Sequence, residues 1–366
     1  MTDDQRFVYR ALDLAARARG FTSPNPMVGA VVVRDGTVVG EGFHRAAGQP
    51  HAEIEALATA GSAARGATLY VALEPCVHQG RTPPCAPAVI AAGIRRVVVA
   101  TSDANPLVAG RGTAALRAAG LEVVTGVLEA EATALNRVFL TAMREGRPHV
   151  TLKAAATLDG KIADVHGASK WITGEAARRE AHRLRSECDA IVVGIGTVLA
   201  DDPALTVRLD PPWPREPLRV VLDSTARTPA SARLIHAATA GRALIVVGAD
   251  ASELRVRALE AAGAQIVCCP GVDGRVSLAE LMATLFARDV RGVLVEGGAT
   301  VAAAFLDAGL VDRAAMFFAP LLLGGATAPS VIGGPGRDLK RAVTLRGLEM
   351  RRVGDDFLVE ADVRRA

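Results

Sequence analysis

Residues 67–92 read ATLYVALEPCVHQGRTPPCAPAVIAA, and the order of features in that stretch sets the fold class. Residues 67–73 form an apolar run with the length of a buried strand. Residues 83–92 open with two prolines, continue through helix-forming residues and stop at Gly93, which is how a short helix starts and ends. Between strand and helix stand Glu74-Pro75-Cys76 and Pro83-Pro84-Cys85. Upstream, His51-Ala52-Glu53 opens a helix expected over 51–59. Before it, apolar runs at 28–33 and 38–39 flank Asp35-Gly36, a hairpin signal. A first helix is expected from Thr2 or Asp3 to a stop at Gly20. Downstream, strand signals at 97–101 and 121–124 alternate with helix signals at 112–119 and 128–144. Alternation of this kind predicts a layered α/β domain.

The second helix signal ends at Glu145-Gly146, and Pro148 follows, so the domain boundary is placed at 146–148, giving domains 1–146 and 147–366. The alternation then restarts. Strands are expected at 150–156, 190–194, 219–223, 243–247 and 293–296, and helices at 174–186, 278–287 and 300–308. Residues 344–363, with Gly354-Asp355-Asp356 in the middle, predict a closing hairpin.

Composition narrows the function classes. The chain has 366 residues, 50% of them hydrophobic and 22% charged, and a formal net charge of +3. That balance suits two globular domains and excludes a disordered chain. A nucleic-acid partner calls for a concentrated basic face and stacking aromatics; aromatics are only 4% of this chain. No run of 18 apolar residues predicts a membrane span. The start Met1-Thr2-Asp3-Asp4-Gln5-Arg6 does not read as a secretory signal, so a cytoplasmic location with reduced thiols is expected. The five cysteines are then read as thiols, some of them metal ligands.

His51, Cys76 and Cys85 supply one imidazole and two thiolates for Zn²⁺, and three protein ligands leave the fourth tetrahedral position for solvent, as a catalytic zinc requires. All three are expected at or near helix starts, where the partial positive charge favours thiolate. Glu53, two residues past His51, is placed to move protons rather than to bind the ion. His-x-Glu followed by Pro-Cys and Cys is the grammar of zinc deaminases. The usual two-residue gap between the cysteines is here the eight residues 77–84, expected to loop out toward substrate. Two competing readings exist: a closed structural site with His78 as fourth ligand, and a pair of buried unliganded cysteines. The first leaves His-x-Glu unexplained, and the second leaves the paired prolines unexplained.

In the second domain, Val295-Glu296-Gly297-Gly298-Ala299-Thr300 reads as strand, glycine turn and helix start, a geometry that aims backbone N–H groups at phosphate. Gly194-Ile195-Gly196-Thr197 is a second glycine-bearing turn. Neither is the Gly-x-Gly-x-x-Gly fingerprint, but two together favour a dinucleotide. Lys153, Arg185 and Arg208 are candidate anion contacts. Asp201-Asp202-Pro203 is a loop acid pair, and the ring of Trp171 is expected either on a nicotinamide or on core.

These residues resemble a known family. Asn25-Pro26-x-Val28-Gly29, His51-Ala52-Glu53, Leu73-Glu74-Pro75-Cys76 and Gly80–Cys85 are similar to the deaminase half of the bifunctional riboflavin-biosynthesis deaminase/reductases. Lys153 with Thr157-Leu158-Asp159-Gly160, Trp171-Ile172-Thr173, residues 197–203 and Val295-Glu296-Gly297-Gly298 are similar to the reductase half. The resemblance runs in order along nearly the whole chain. It implies a cytidine-deaminase-like three-layer α/β/α domain followed by a dihydrofolate-reductase-like α/β domain, which binds NADPH without a Rossmann fingerprint. It implies hydrolytic removal of the 2-amino group of 2,5-diamino-6-ribosylamino-4(3H)-pyrimidinone 5′-phosphate. NADPH-dependent reduction of the ribosyl side chain of 5-amino-6-(5-phosphoribosylamino)uracil to ribityl would then follow.

By the same resemblance His51, Cys76 and Cys85 are the zinc ligands and Glu53 the proton shuttle, while Asn25, His44, Arg81, Asp103 and Asn105 line the pyrimidine and phosphate. Ala155, Trp171, Thr197, Asp201, Ser224 and the turn Gly298-Ala299-Thr300 match cofactor contacts. Ser169, Arg185, Leu205, Arg208 and Glu296 match substrate contacts. Lys153 and Asp201 match catalytic positions, and Arg185 and Arg208 are expected to hold the phosphate. The family implies a homo-oligomer, a dimer or tetramer, built through the reductase domain. The alternative is a zinc nucleobase deaminase whose second domain binds a nucleotide without catalysis. Cys188, Cys268 and Cys269 receive no role.

Overall fold

The computed structural model describes residues 1–237 and 242–364. It divides into two compact units, Met1–Arg147 and Pro148–Ala366.

The first unit begins with α1 (Asp3–Ala16). Its N-terminus is closed by a capping box: Gln5 N–H donates to the Thr2 hydroxyl, and Thr2 N–H donates to the Gln5 side chain. The helix ends before the expected stop at Gly20, because Arg17, Ala18 and Arg19 tighten into i→i−3 turns on Leu14, Ala15 and Ala16. The hairpin β1 (Gly29–Arg34) and β2 (Thr37–Phe43) turns at Asp35 and Gly36, with φ of 51° and 76°, the left-handed pair that a tight two-residue turn requires. Next come α2 (Ala52–Ala60), β3 (Thr68–Leu73), α3 (Cys85–Ala91), β4 (Arg96–Thr101), α4 (Arg111–Ala118) and β5 (Glu122–Thr125). The helix expected over 128–144 is two helices, α5 (Glu129–Leu135) and α6 (Arg137–Glu145), parted at Asn136. The buried Asn136 side chain is engaged elsewhere: Met27 N–H donates to Oδ1 at 2.8 Å, and Nδ2 donates to the Met27 carbonyl at 2.9 Å. Those two bonds hold the 25–28 segment in place.

The five strands lie in the order β2-β1-β3-β4-β5. Alternation sorts their side chains to two faces. Ala30, Val32, Leu69, Val71, Val97 and Val99 pack on α2, α3 and α4. Val31, Val33, Tyr70, Ala72, Val98 and Ala100 pack on α1 and α5. Both faces are covered, so the central strands are apolar at nearly every position, and the unit is a three-layer α/β/α sandwich.

The second unit contains β6 (His149–Thr157), α7 (Glu175–Ser186), β7 (Ala190–Gly194), α8 (Ile195–Asp201), β8 (Leu218–Leu222) and α9 (Arg233–His236). It continues with β9 (Ala243–Val247), α10 (Glu253–Ala261), β10 (Gln265–Cys268), α11 (Leu278–Ala287), β11 (Gly292–Val295), α12 (Ala299–Asp307) and β12 (Arg313–Ala319), then closes with the hairpin β13 (Thr344–Val353) and β14 (Asp356–Arg364). The sheet order is β10-β9-β8-β7-β11-β6-β12-β14-β13, parallel from β10 through β12 and antiparallel at the last two strands. Strand β11 returns between β7 and β6. The chain therefore leaves β6 in one direction and comes back beside it, which opens a crevice at the carboxyl ends of β6, β11 and β7. Helices α11 and α12 cover one face of the sheet, and α8, α9 and α10 cover the other. Among the described residues no helix is long and apolar enough to cross a membrane.

Candidate active sites

In the first unit His51 sits at the N-cap of α2 and Cys85 is the first residue of α3. Cys76 differs from the expectation of a helix start: it lies on the connection after β3. Helix α3 still reaches it, since Cys85 N–H donates to Cys76 Sγ at 3.4 Å. His51 Nδ1 is 3.2 Å from Cys85 Sγ and 3.6 Å from Cys76 Sγ. Ligands bound to one zinc at about 2.0 and 2.3 Å with tetrahedral angles stand about 3.5 Å apart, so this spacing fits. The three donor atoms lie within 4.8 Å of one another, and among the described residues no further His, Cys, Asp or Glu, His78 included, joins them. The donor set fits Zn²⁺ with one position open. The other nitrogen of His51, Nε2, is 3.0 Å from the Thr82 hydroxyl, which fixes the nitrogen that faces the sulfurs.

The electrostatics of this cluster point the same way. Cys85 hydrogen-bonds to Cys76, which with His51 lowers the Cys76 thiol to about 4 and raises that of Cys85. A cation between the sulfurs would stabilise both thiolates. Glu53 is buried, 3% exposed, and burial raises its carboxyl to about 7. A carboxyl in that range both takes and gives protons near neutrality.

Beside this centre lie His44, bonded to Asn25, and Asp103, which feels the charge of Cys76. His44 Nδ1 donates to the Pro50 carbonyl at 3.1 Å, so its Nε2 accepts from Asn25 Nδ2 at 3.0 Å. Its ring lies edge-on to His51 at 5.1 Å, and burial lowers its pKa. Asp103 and Asn105 lie on the loop after β4, where Asp103 Oδ1 accepts from Asn105 N–H at 2.7 Å. Burial pushes Asp103 up to about 6. Arg81 is exposed on the 77–84 segment. Two functional residues escaped the sequence reading. One is Thr82. The other is Glu74, buried at the end of β3, which accepts from Asp103 N–H (3.3 Å), Gly110 N–H (2.9 Å), Thr113 N–H (2.9 Å) and the Thr113 hydroxyl (3.3 Å). It ties the Asp103 loop to the strand that leads to Cys76. Gly112 permits this: a Cβ there would stand 2.0 Å from the Pro75 carbonyl.

In the second unit the crevice holds a charge cluster. Glu296, just past β11, accepts from Arg185 Nε at 2.7 Å and from Arg185 Nη2 at 2.8 Å, and Lys153 Nζ of β6 is 3.8 Å away. Burial pushes Glu296 up, but the Arg185 and Lys153 charges outweigh it and hold the carboxyl at about 2. Burial lowers Lys153, and Glu296 counters that in part. Arg185 Nη1 also donates to the Thr206 carbonyl at 3.0 Å. Its guanidinium, expected on a phosphate, is thus already paired within the protein. The buried Leu205 adopts φ of 51°, a left-handed backbone unusual for leucine.

Strand β7 ends in Gly194, and Glu296-Gly297-Gly298 follows β11. Gly194 caps α8 and Gly298 caps α12, neither with a side-chain cap bond, so backbone N–H groups at both helix starts remain available. Gly194 and Gly297 lie against Val301, where an added Cβ would come within 2.7 Å of it. Thr197 lies on α8, Ala299 and Thr300 open α12, Ala155 is on β6 and Ser224 follows β8. Asp201, at the end of α8, is 3.3 Å from Lys170 Nζ, while Asp202 accepts from Arg233 N–H at 2.9 Å, next to the start of α9. Ser169 is half-buried on the segment before α7. Trp171 is 70% exposed, with Arg178 stacked 4.7 Å from its ring, so it is not a core residue. In Thr157-Leu158-Asp159-Gly160 the acid is an anchor: Asp159 accepts from Thr157, Leu323 N–H and Gly324 N–H.

Residues 148–359 match the family model of the RibD C-terminal domain, and residues 1–101 match the cytidine and deoxycytidylate deaminase zinc-binding region. The chain is 43% identical over 356 residues to the riboflavin biosynthesis protein RibD of Aquifex aeolicus, covering 97% of each chain. It is 43% identical over 365 residues to that of Escherichia coli K12, covering 96% of this chain and 97% of the other. Among solved structures, Acinetobacter baumannii RibD superposes with a TM-score of 0.90 at 39% identity over 99% of both chains. The diaminohydroxyphosphoribosylaminopyrimidine deaminase/5-amino-6-(5-phosphoribosylamino)uracil reductase of Thermotoga maritima superposes with a TM-score of 0.85 at 36% identity, also over 99% of both.

Proposed function

This chain belongs to the RibD family of bifunctional riboflavin-biosynthesis enzymes, and from that premise we propose that its two units act in turn on one phosphorylated pyrimidine riboside. The enzyme joins a zinc-binding deaminase domain, a hydrolase, to a reductase domain, an oxidoreductase. The substrates proposed are 2,5-diamino-6-ribosylamino-4(3H)-pyrimidinone 5′-phosphate for residues 1–146 and 5-amino-6-(5-phosphoribosylamino)uracil for residues 147–366. The observation that carries the reading is the convergence of His51, Cys76 and Cys85 beside buried Glu53.

His51, Cys76 and Cys85 would hold Zn²⁺, which when bound supplies a Lewis acid and lowers the pKa of water. Glu53 moves a proton from that water to the ring nitrogen and then to the departing amine, which leaves as ammonia. Asn25, His44, Asp103 and Asn105 orient the pyrimidine edge, and exposed Arg81 meets the phosphate. In the second unit NADPH, when bound, supplies hydride; the paired helix starts at Gly194 and Gly298 suit its phosphates. Lys153, charged beside Glu296, gives a proton to the sugar oxygen released as the ribose opens. Ala155, Trp171, Thr197, Asp201 and Ser224 orient the cofactor, and Ser169, Leu205 and Arg208 orient the substrate. A homo-oligomer through the reductase unit is supported by β13, an edge strand exposed along nearly its whole length with Leu345, Leu348 and Met350 uncovered. A small-molecule substrate and free thiols suit the cytoplasm.

The test is an assay on the diaminopyrimidine phosphate that follows ammonia and the loss of reduced-nicotinamide absorbance together. Glu53→Gln should retain zinc and lose ammonia release by about a hundredfold or more, yet still reduce the pre-deaminated substrate. Lys153→Ala should do the reverse. Parallel loss of both activities in either variant would refute the division of labour.

A further inference from the structure

Trp171 is one of two tryptophans in the chain, and it is 70% exposed. A single exposed aromatic is ordinary on a protein surface. This one differs in how firmly its surroundings are tied. On one side of it in the chain, Lys170 Nζ is 3.3 Å from Asp201 at the end of α8. On the other side, Gly174 N–H donates at 2.8 Å to Asp356, a residue 2% exposed at the start of β14. The β13–β14 turn sits close against α7: a Cβ on Gly354 would stand 2.9 Å from the Ala176 Cβ. Between these ties, Arg178 of α7 acts on the ring itself. Its Nη1 donates to the Thr173 carbonyl at 2.7 Å, and its guanidinium carbon lies 4.7 Å from the centroid of the Trp171 ring. Among the described residues no carboxylate pairs with Arg178, so its charge is committed to the indole and to one carbonyl. A cation over an indole is attracted by the electron density of the ring face, and the carbonyl bond fixes where that cation stands. The segment 170–174 is thereby pinned to α8, α7 and β14, while a flat apolar surface is left open to solvent.

We propose that Arg178 is a positioning residue of the reductase: it holds the Trp171 indole as a platform for the nicotinamide ring and biases that platform toward the reduced cofactor. The proposal rests on the reading of Trp171 as a cofactor contact given above, and it adds what holds the ring and what the charge behind it does. A tryptophan free to turn would lose that freedom at each binding event; one already held has lost it on folding, so the cofactor binds at a lower entropic cost. The bias is electrostatic. The reduced nicotinamide ring is neutral and the oxidised ring carries a positive charge. With a guanidinium on one face of the indole, a cation on the other face is repelled and a neutral ring is not. The product of hydride transfer is therefore held less tightly than the hydride donor.

The test uses the full-length enzyme carrying Trp213→Phe, so that Trp171 is the one tryptophan left to report. With no cofactor present, Arg178→Met should lower the fluorescence anisotropy of Trp171, because a released side chain turns within nanoseconds. It should raise the Kd for NADPH about threefold to thirtyfold, the worth of one cation–π contact. The Kd for the oxidised cofactor should rise less, and the KM for the pyrimidine should hold. Arg178→Lys keeps a cation over the ring and should retain the preference for the reduced cofactor. Unchanged anisotropy, equal shifts in the two dissociation constants, a matching rise in the KM for the pyrimidine, or loss of the preference in Arg178→Lys would overturn the proposal. The cofactor reading fails by a different result. With Arg178 intact, NADPH should quench the Trp171 fluorescence; an absence of quenching would remove the ring from the cofactor site and strike that reading, whatever Arg178 does.

Discussion

Glu74→Gln tests whether a single carboxylate holds the pyrimidine-facing loop of the deaminase unit. The wild-type carboxylate accepts from two donors on each oxygen, Thr113 N–H and hydroxyl on one, Asp103 and Gly110 N–H on the other, in a position 3% exposed. Glutamine keeps the shape but replaces one oxygen by NH₂. If the amide faced Asp103 and Gly110, two backbone donors would be stranded. If it faced Thr113, only one would be, because the Thr113 hydroxyl has another acceptor in the Gly110 carbonyl at 3.1 Å and can turn to receive the amide. The second placement therefore wins. It leaves one buried N–H facing an NH₂ and loses the charge at the remaining oxygen, a cost of about 2–4 kcal/mol. Hydrogen exchange on the full chain reads this locally. The amides of Asp103, Gly110 and Thr113 should exchange about thirtyfold to a thousandfold faster, while the strands of the second unit do not change. The KM for the diaminopyrimidine should rise with kcat less affected, since Asp103 and Asn105 lose their fixed position but Glu53 does not. Unchanged exchange at Gly110 and Thr113, with an unchanged KM, would refute the claim that Glu74 anchors the loop.

Thr82→Val keeps the side-chain shape but removes the hydroxyl 3.0 Å from His51 Nε2, so zinc affinity should fall about tenfold to a hundredfold; competition with a chelator measures it, and an unaltered affinity would remove Thr82 from the site. Glu296→Gln leaves Arg185 and Lys153 without their counter-charge and should destabilise the second unit by about 3–5 kcal/mol. The pH sign follows from a carboxyl held at about 2 against an ordinary 4.5: its stabilisation is present above 4.5 and is lost as pH falls from there toward 2. Melting curves taken from pH 5 to pH 3 should therefore fall more steeply for the wild type than for Glu296→Gln, and parallel slopes would contradict the assignment.

The parts of this molecule that can be read from sequence are those whose cause is local. Central strands such as β3 and β4 announce themselves because both faces are covered, which leaves a run of valine, leucine and alanine bounded by glycine or a charged residue. The metal cluster is also local in its grammar, since His51 and Cys85 open helices and Cys76 ends a strand connection. Strand β12 has no such local signature, because Arg313-Ala314-Ala315-Met316-Phe317-Phe318-Ala319 suits a buried helix as well as a strand, and its pairing with β6 from Thr151 to Thr157 decides the matter across more than a hundred and fifty residues. Asn136 breaks a helix for a partner at Met27 that no neighbouring residue hints at. The same reasoning governs the charged residues. A sequence shows how many donors Arg185 carries, but only the fold shows that a carboxylate 111 residues away pairs with its guanidinium. Glu74 lies within a motif noted for its cysteine, yet its work depends on donors up to 39 residues downstream. Residue chemistry is thus written locally, whereas the partner that consumes it is chosen by the fold.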